Sequence, residues 1–338
     1  MDRLYPPFIP TRQFQANIKR MSTRRQIIRK ARKAGTWYEK SRDILDRQLT
    51  NWLNNAGEPE FGPAKAIISP HAGYQYCGSC AAHAYKELGP DVSRIFILGP
   101  SHHVRLNAIA LSPAHIYETP LGNLTVDRDV YSELFATNLF EEMTLETDQE
   151  EHSLELQLPF IVKVMSKRKQ PYTIVPMMVG SIRPEKEANY GQILAKYLSQ
   201  PENAFVISSD FCHWGQRFDY QFYDKSWGKI FESIEHLDKL GMKAIKDLKL
   251  DSFNAYLKVY GNTICGRHPI GVLLAAVEYL NSQSDSAGTP LYLMKFLNYS
   301  QSSKCQHMYD SSVSYAAASL KEFDANQAPK TIEDIVDV

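Results

Sequence analysis

Apolar residues in this chain alternate between short unbroken runs and stripes at helical spacing. Ala66-Ile67-Ile68, Ile95-Phe96-Ile97-Leu98 and Phe205-Val206-Ile207 are runs bounded by turn residues, and they read as buried strands. Tyr172 to Val179 is strand-like, and Leu291 to Leu297 and Val313 to Tyr315 are expected as late strands. Between the runs, Ser41 is placed to cap a helix in which Leu45, Leu49, Trp52 and Leu53 share a face, with Gly57 just past its end. Further helices are expected from about Gly78 to Leu88, through Leu154, Leu158, Ile161 and Met165, and around Ile193, Leu194, Tyr197 and Leu198. Ile230, Ile234 and Leu237 mark another. Pro269 opens one more through Val272 to Tyr279, as proline at a first helical position should. This alternation predicts an α/β fold, a central mixed, largely parallel sheet covered by helices. No low-complexity linker or internal repeat breaks it.

A chain of 338 residues can bury a substantial core. Its net charge is zero but uneven: residues 1–33 carry ten Lys/Arg against one acid, leaving 28 basic and 37 acidic residues and a formal charge of −9. An acidic body argues against nucleic-acid binding, which needs a basic surface. The basic segment is Arg-rich like a transit peptide but reads better as a disordered arm, and the crowded Arg24, Arg25, Arg29 and Arg32 read as part of that flexible tail. Five scattered cysteines make no disulfide framework and fit a reducing compartment. No apolar run approaches the ~20 residues of a membrane span.

Three strands end in a short turn that delivers a histidine: Ser69-Pro70-His71, Gly99-Pro100-Ser101-His102-His103 and Ser208-Ser209-Asp210-Phe211-Cys212-His213. In parallel α/β sheets ligands bind beyond the carboxyl ends of the strands, so three histidines at that address suggest a metal or acid–base site. His71 and His102, expected on neighbouring strands, are the natural first ligands. Cys265 lies in a Gly-containing turn before a helix, beside Arg267 and His268, where cations and the helix N-terminus would favour thiolate. Two imidazoles and a thiolate suit copper, zinc or iron better than magnesium or calcium. Asp210 and His213 are spaced for a carboxylate–imidazole pair, serving as general base or extra ligand. In Glu151-His152-Ser153-Leu154-Glu155, His152 and Glu155 would share a helical face, although an acid-rich helix cap explains the segment as well. Cys77-Gly78-Ser79-Cys80 has thioredoxin-like spacing, yet its small neighbours Ala81, Ala82 and Ala84 favour close packing instead.

The motifs Ala34-Gly35-Thr36-Trp37-Tyr38, Pro70-His71-Ala72-Gly73-Tyr74, Gly99 to His103, Glu151-His152-Ser153, Ser208 to His213 and Cys265-Gly266-Arg267-His268-Pro269 together resemble the Memo family, named for mediating receptor-tyrosine-kinase-driven cell motility. The resemblance covers nearly the whole chain. It implies one domain over residues 26–320, between a basic disordered arm (1–25) and an acidic disordered tail (321–338). It also implies the fold of class III, LigB-type extradiol dioxygenases, whose iron sits on two histidines and a glutamate. By motif position His71 and His102 match the two histidine ligands and His213 the acid–base histidine, while Cys265 stands where the glutamate would be. That departure argues against carrying over ring cleavage, because a thiolate donates charge differently and is itself oxidisable.

The resemblance therefore implies one copper or iron ion per chain on His71, His102 and Cys265, and no nucleotide cofactor. Asp210 and His213 stand alongside, with Trp37, Tyr74, His103, His152, Glu155, Arg267 and His268 around the pocket. Implied partners are phosphotyrosine receptor tails, Rho-type GTPases and actin regulators, in the cytoplasm and also the nucleus. Two other functions fit the residues: a non-enzymatic adaptor with a vestigial pocket, and an oxygen-using metalloenzyme.

Overall fold

The computed structural model describes residues 26–168, 170–283 and 292–323. The expected arm (1–25), the tail beyond Phe323, and Leu291 lie outside these residues. Twelve strands form one mixed sheet: β1 (Ile28–Arg29), β2 (Ala66–Ser69), β3 (Arg94–Pro100), β4 (Ile109–Leu111), β5 (Ile116–Tyr117), β6 (Leu124–Val126), β7 (Phe140–Glu142), β8 (Thr173–Val179), β9 (Asn203–Ser208), β10 (His213–Trp214), β11 (Tyr292–Gln301) and β12 (Ser312–Glu322). The main path runs β1-β5-β6-β8-β3-β9-β2-β12-β10. At its centre β8, β3, β9 and β2 are parallel, and β12 adds antiparallel to β2. Every residue of β2 and β9 is buried. Successive side chains point to opposite faces of a sheet, so both faces are covered.

Helices supply that cover. The helix Tyr74–Tyr85 packs on β2, β11 and β12, while Pro184–Leu198 and Arg267–Ser282 pack on each other and over β9. Helix Arg42–Asn55 buries Leu45 and Leu49 completely, which contributes about 1.5–3 kcal/mol for each. Ser41 occupies its N-cap position but makes no side-chain cap bond. The helix expected from Gly78 instead begins at Tyr74 and ends at Tyr85, because Gly78 lies inside it, under the Trp52 ring. A Cβ there would come within 2.5 Å of that ring, so the small residues serve packing. Cys77 and Cys80 are free, buried thiols, both pushed up by burial.

Other expectations need adjustment. The stripe from Leu154 to Met165 is a short 3-10 turn, Glu155–Gln157, followed by the helix Leu158–Met165. His152 therefore lies before the turn and shares no helical face with Glu155. The last strand is much longer than expected and runs through Lys321 and Glu322, past the expected start of the acidic tail. Arg29 and Arg32 belong to no flexible tail: Arg29 is 0 % exposed in β1, and Arg32 pairs with Glu146 and Glu150. His71 and His102 follow strands that are not neighbours, since β9 lies between β2 and β3. Their turns still meet, because β2, β9 and β3 run parallel and end at the same edge. Among the described residues no helix is long and apolar enough to cross a membrane.

Candidate metal centre

The turns after β2, β3 and β9 open onto a cavity of about 540 Å³. Its wall includes His71, His102, His152, Asp210 and His213, together with Trp37, Tyr76, Arg217 and Phe218. Three of the imidazoles are oriented by oxygen atoms behind them. His71, 1 % exposed, places Nδ1 2.8 Å from Ser208 Oγ. That hydroxyl already donates to the Ser153 carbonyl (2.7 Å) and accepts from Gln157 Nε2 (2.8 Å). Its remaining lone pair can only accept, so His71 carries its proton on Nδ1. The Gln157 orientation is fixed in turn, since Tyr85 donates to its Oε1 and its Nε2 also reaches the Pro70 carbonyl. Burial, with the neighbouring histidines adding to it, holds His71 well below the usual imidazole range.

His102 donates from Nδ1 to Glu151 Oε1 at 2.9 Å, and its backbone N–H donates to Oε2 at 2.6 Å. Burial would lower this imidazole, but hydrogen bonds to Cys265 and Glu151 overcome it and pull it up to about 10. Glu151 also accepts from the backbone N–H groups of His152 and Ser153. Burial would raise its carboxyl, yet the His102 ring and N–H, with the nearby His152 ring, draw it down to about 2. His213 points Nδ1 at the carbonyls of Phe211 (2.9 Å) and Thr263 (3.1 Å). In all three rings the nitrogen held by oxygen is Nδ1, so each offers Nε2 to the cavity.

Cys265 arrives from the loop before the helix Arg267–Ser282. Gly266 sits so close to Ser209 that a Cβ would be 2.3 Å from the Ser209 Cβ, and its N–H donates to Ser209 Oγ. That contact brings Cys265 Sγ to 3.2 Å from His71 Nε2 and 3.2 Å from the donating Asp210 N–H. The thiol is pushed up by burial, which outweighs the hydrogen bond from His102. The expected help from Arg267 and His268 fails, because Arg267 is exposed and His268 pairs with Glu187 at 2.7 Å; His102 supplies the nearby charge instead.

Asp210 and His213 make no direct pair. Asp210 Oδ1 accepts the His71 N–H (2.8 Å), and burial raises its carboxyl. Tyr74 lines an adjoining cavity with Trp37, and its hydroxyl donates to the Leu156 carbonyl. His103 is exposed and meets only the edge of His152. Glu155 is withdrawn altogether, accepting from Arg29 (2.6 Å), Tyr38 and the Lys33 N–H.

The donor atoms of His71, His102 and His152 lie within 4.8 Å of one another, a group able to hold a metal ion. The rings of His71 and His102 also fit one chemically: oxygen holds each at Nδ1 and turns Nε2 to the cavity, and an ion bound there would take the place of the second proton that His102 carries. Sequence reasoning named Glu151 in a motif with His152 but gave it no role in the site, and it passed over Arg217, which carries no motif.

A family model described as Memo-like protein matches residues 29–319. Protein MEMO1 of Danio rerio is 54% identical over 297 residues, 88% of this chain and 98% of its own. Protein MEMO1 of Homo sapiens is 53% identical over 297 residues, with the same shares. A memo-1 homolog of Caenorhabditis elegans is 49% identical over 294 residues, 86% of this chain and 82% of its own.

Proposed function

This chain belongs to the Memo-like protein family, and from that premise we propose that it is a metal-binding signalling protein holding one copper or iron ion on His71, His102 and Cys265. The observation that carries the reading is the convergence of His71 Nε2, His102 and Cys265 Sγ, with each imidazole backed by an oxygen at Nδ1. Metal–nitrogen bonds of about 2.0–2.1 Å and a metal–sulfur bond of about 2.3 Å put such donors roughly 3–4 Å apart, in line with the 3.2 Å between His71 Nε2 and Cys265 Sγ. Such an ion supplies redox and Lewis-acid chemistry when bound. His213 can hold or pass a proton at Nε2, and Asp210 fixes the His71 backbone. Roles in cell motility, cytoskeletal control and redox signalling, in the cytoplasm and nucleus, follow from family membership, as does a single domain over residues 26–320.

Anaerobic titration with ferrous or cuprous ion tests this. The wild type should bind one ion per chain, and His71→Ala/His102→Ala should bind none measurably. Equal affinity in both proteins would overturn the assignment.

Arg217 favours a second reading, an adaptor that takes an anionic side chain into the cavity. Its guanidinium lies 4.3 Å over the Phe218 ring and, among the described residues, has no carboxylate partner. Arginine pairs well with phosphate, so the phosphotyrosine of a receptor tail suits it. On this reading, removal of metal leaves phosphopeptide binding intact and Arg217→Ala abolishes it, as fluorescence polarisation would show. Rho-type GTPases and actin regulators belong to the same proposal, on family membership alone.

A further inference from the structure

The cavity holds one imidazole more than the proposed site uses. His152 is only 13 % exposed at its side chain, yet among the described residues its ring makes no hydrogen bond. Its Nδ1 lies 3.4 Å from Glu151 Oε1, an oxygen that already accepts from His102 Nδ1 and from the backbone N–H groups of His152 and Ser153. The ring lines the cavity beside His71 and His102, so its nitrogens are placed to take a partner that enters from outside the chain. It is also held in place. Trp37 covers it at 4.4 Å between centroids, and His102 stacks on it at 4.4 Å and 20°.

We propose that His152 is an interchangeable third ligand: the His71–His102 pair closes with Cys265 as a nitrogen–sulfur site, or with His152 as an all-nitrogen site, in one cavity. Nitrogens on one ion at about 2.0–2.1 Å are at most about 4.2 Å apart, so a small inward movement of rings already within 4.8 Å completes the second triad. The two alternatives come from separate parts of the chain. Cys265 sits on the loop before the helix Arg267–Ser282, and His152 follows the helix Leu145–Glu150, so losing one leaves the other in position. Ligand softness decides between them: a cuprous ion prefers the thiolate, whereas a divalent first-row ion accepts the imidazole.

The inference rests on the metal reading above, and cobalt(II) separates the two. Wild type, Cys265→Ser, His152→Phe, the double variant of both, and His71→Ala/His102→Ala are loaded anaerobically and dialysed. Each is then read by metal analysis and by the ultraviolet thiolate-to-cobalt absorption. Phenylalanine keeps the stack on Trp37 while removing both nitrogens, and melting curves identify any variant that unfolds. One cobalt is expected in wild type and in each single variant, with the absorption strongest in His152→Phe, where Cys265 alone can close the site, and absent wherever Cys265 is replaced. The Cys265→Ser/His152→Phe protein should bind at least about tenfold more weakly than either single variant, a difference of about 1.4 kcal/mol. The inference is overturned if folded Cys265→Ser loses cobalt as fully as the double variant, or if the double variant keeps it. Cobalt retained by His71→Ala/His102→Ala would instead overturn the metal reading itself.

Discussion

Among the described residues Glu151 holds the His102 ring at Nδ1 with a carboxylate, whereas neutral oxygens hold the rings of His71 and His213. It accepts both the His102 ring and its backbone N–H, so ring and main chain are fixed together. Glu151→Gln would set an amide N–H₂ against one or more of the four N–H donors that now converge on this carboxylate, and should weaken metal binding by about 10–100-fold. Competition against a chelator measures this, and an unchanged affinity would contradict it. At this scale much of the site was legible. His71, His102 and His213 follow apolar runs, and Cys265 precedes a proline-marked helix. Glu151 was hidden among Glu146, Asp148, Glu150 and Glu155, where its neighbours make it look like one more solvated acid. The structure separates them: Glu151 is buried on His102, while Glu146 and Glu150 pair with Arg32 near the surface.

Elements reach the site through an ion network at its back. Arg29 in β1 donates to Asp148 Oδ1 (3.1 Å) and Glu155 Oε2 (2.6 Å), and to the carbonyls of Asp148 and Glu151. It thereby pins the segment that carries Glu151 and His152. Replacing one partner of a buried pair strands the other charge, so Arg29→Met should cost about 3–5 kcal/mol in a urea titration. A loss below about 1 kcal/mol, the size of a surface pair, would contradict this. Sequence reasoning missed the network because β1 has two residues and sits beside a basic arm, so Arg29 resembled its neighbours. Strands β4 to β7 have two or three residues each, too short for any period to show. In β12, Ala316-Ala317-Ala318 is buried in the sheet, but alanine is the best helix former and masks a strand. The central strands β2, β3, β8 and β9 were legible because burial on both faces makes them continuous apolar runs.

For the whole molecule, Asp238 couples stability to pH. Its carboxylate, on the helix Ile230–Lys246, accepts from the Cys212 N–H, Asn262 Nδ2, the Tyr299 hydroxyl and the Ser314 hydroxyl. It thus joins that helix to β11, β12, the turn leading into His213 and the loop carrying Cys265. Burial pushes its carboxyl up to about 6 despite those donors. An acid whose folded pKa is raised holds its proton more tightly when folded. Its contribution is complete below the unfolded value of about 3.9 and is lost as pH rises through about 6. The loss is on the order of 2–3 kcal/mol between pH 4 and 7. Urea unfolding over that range should show the decline in wild type relative to Asp238→Asn, and parallel curves would contradict it.

The central claim is that this cavity is a metal centre, and anomalous X-ray diffraction from crystals loaded anaerobically with ferrous or cuprous ion tests it most directly. The predicted result is one strong peak within about 2.0–2.3 Å of both His71 Nε2 and His102 Nε2. A peak elsewhere with the cavity empty, or no peak at all, would contradict it.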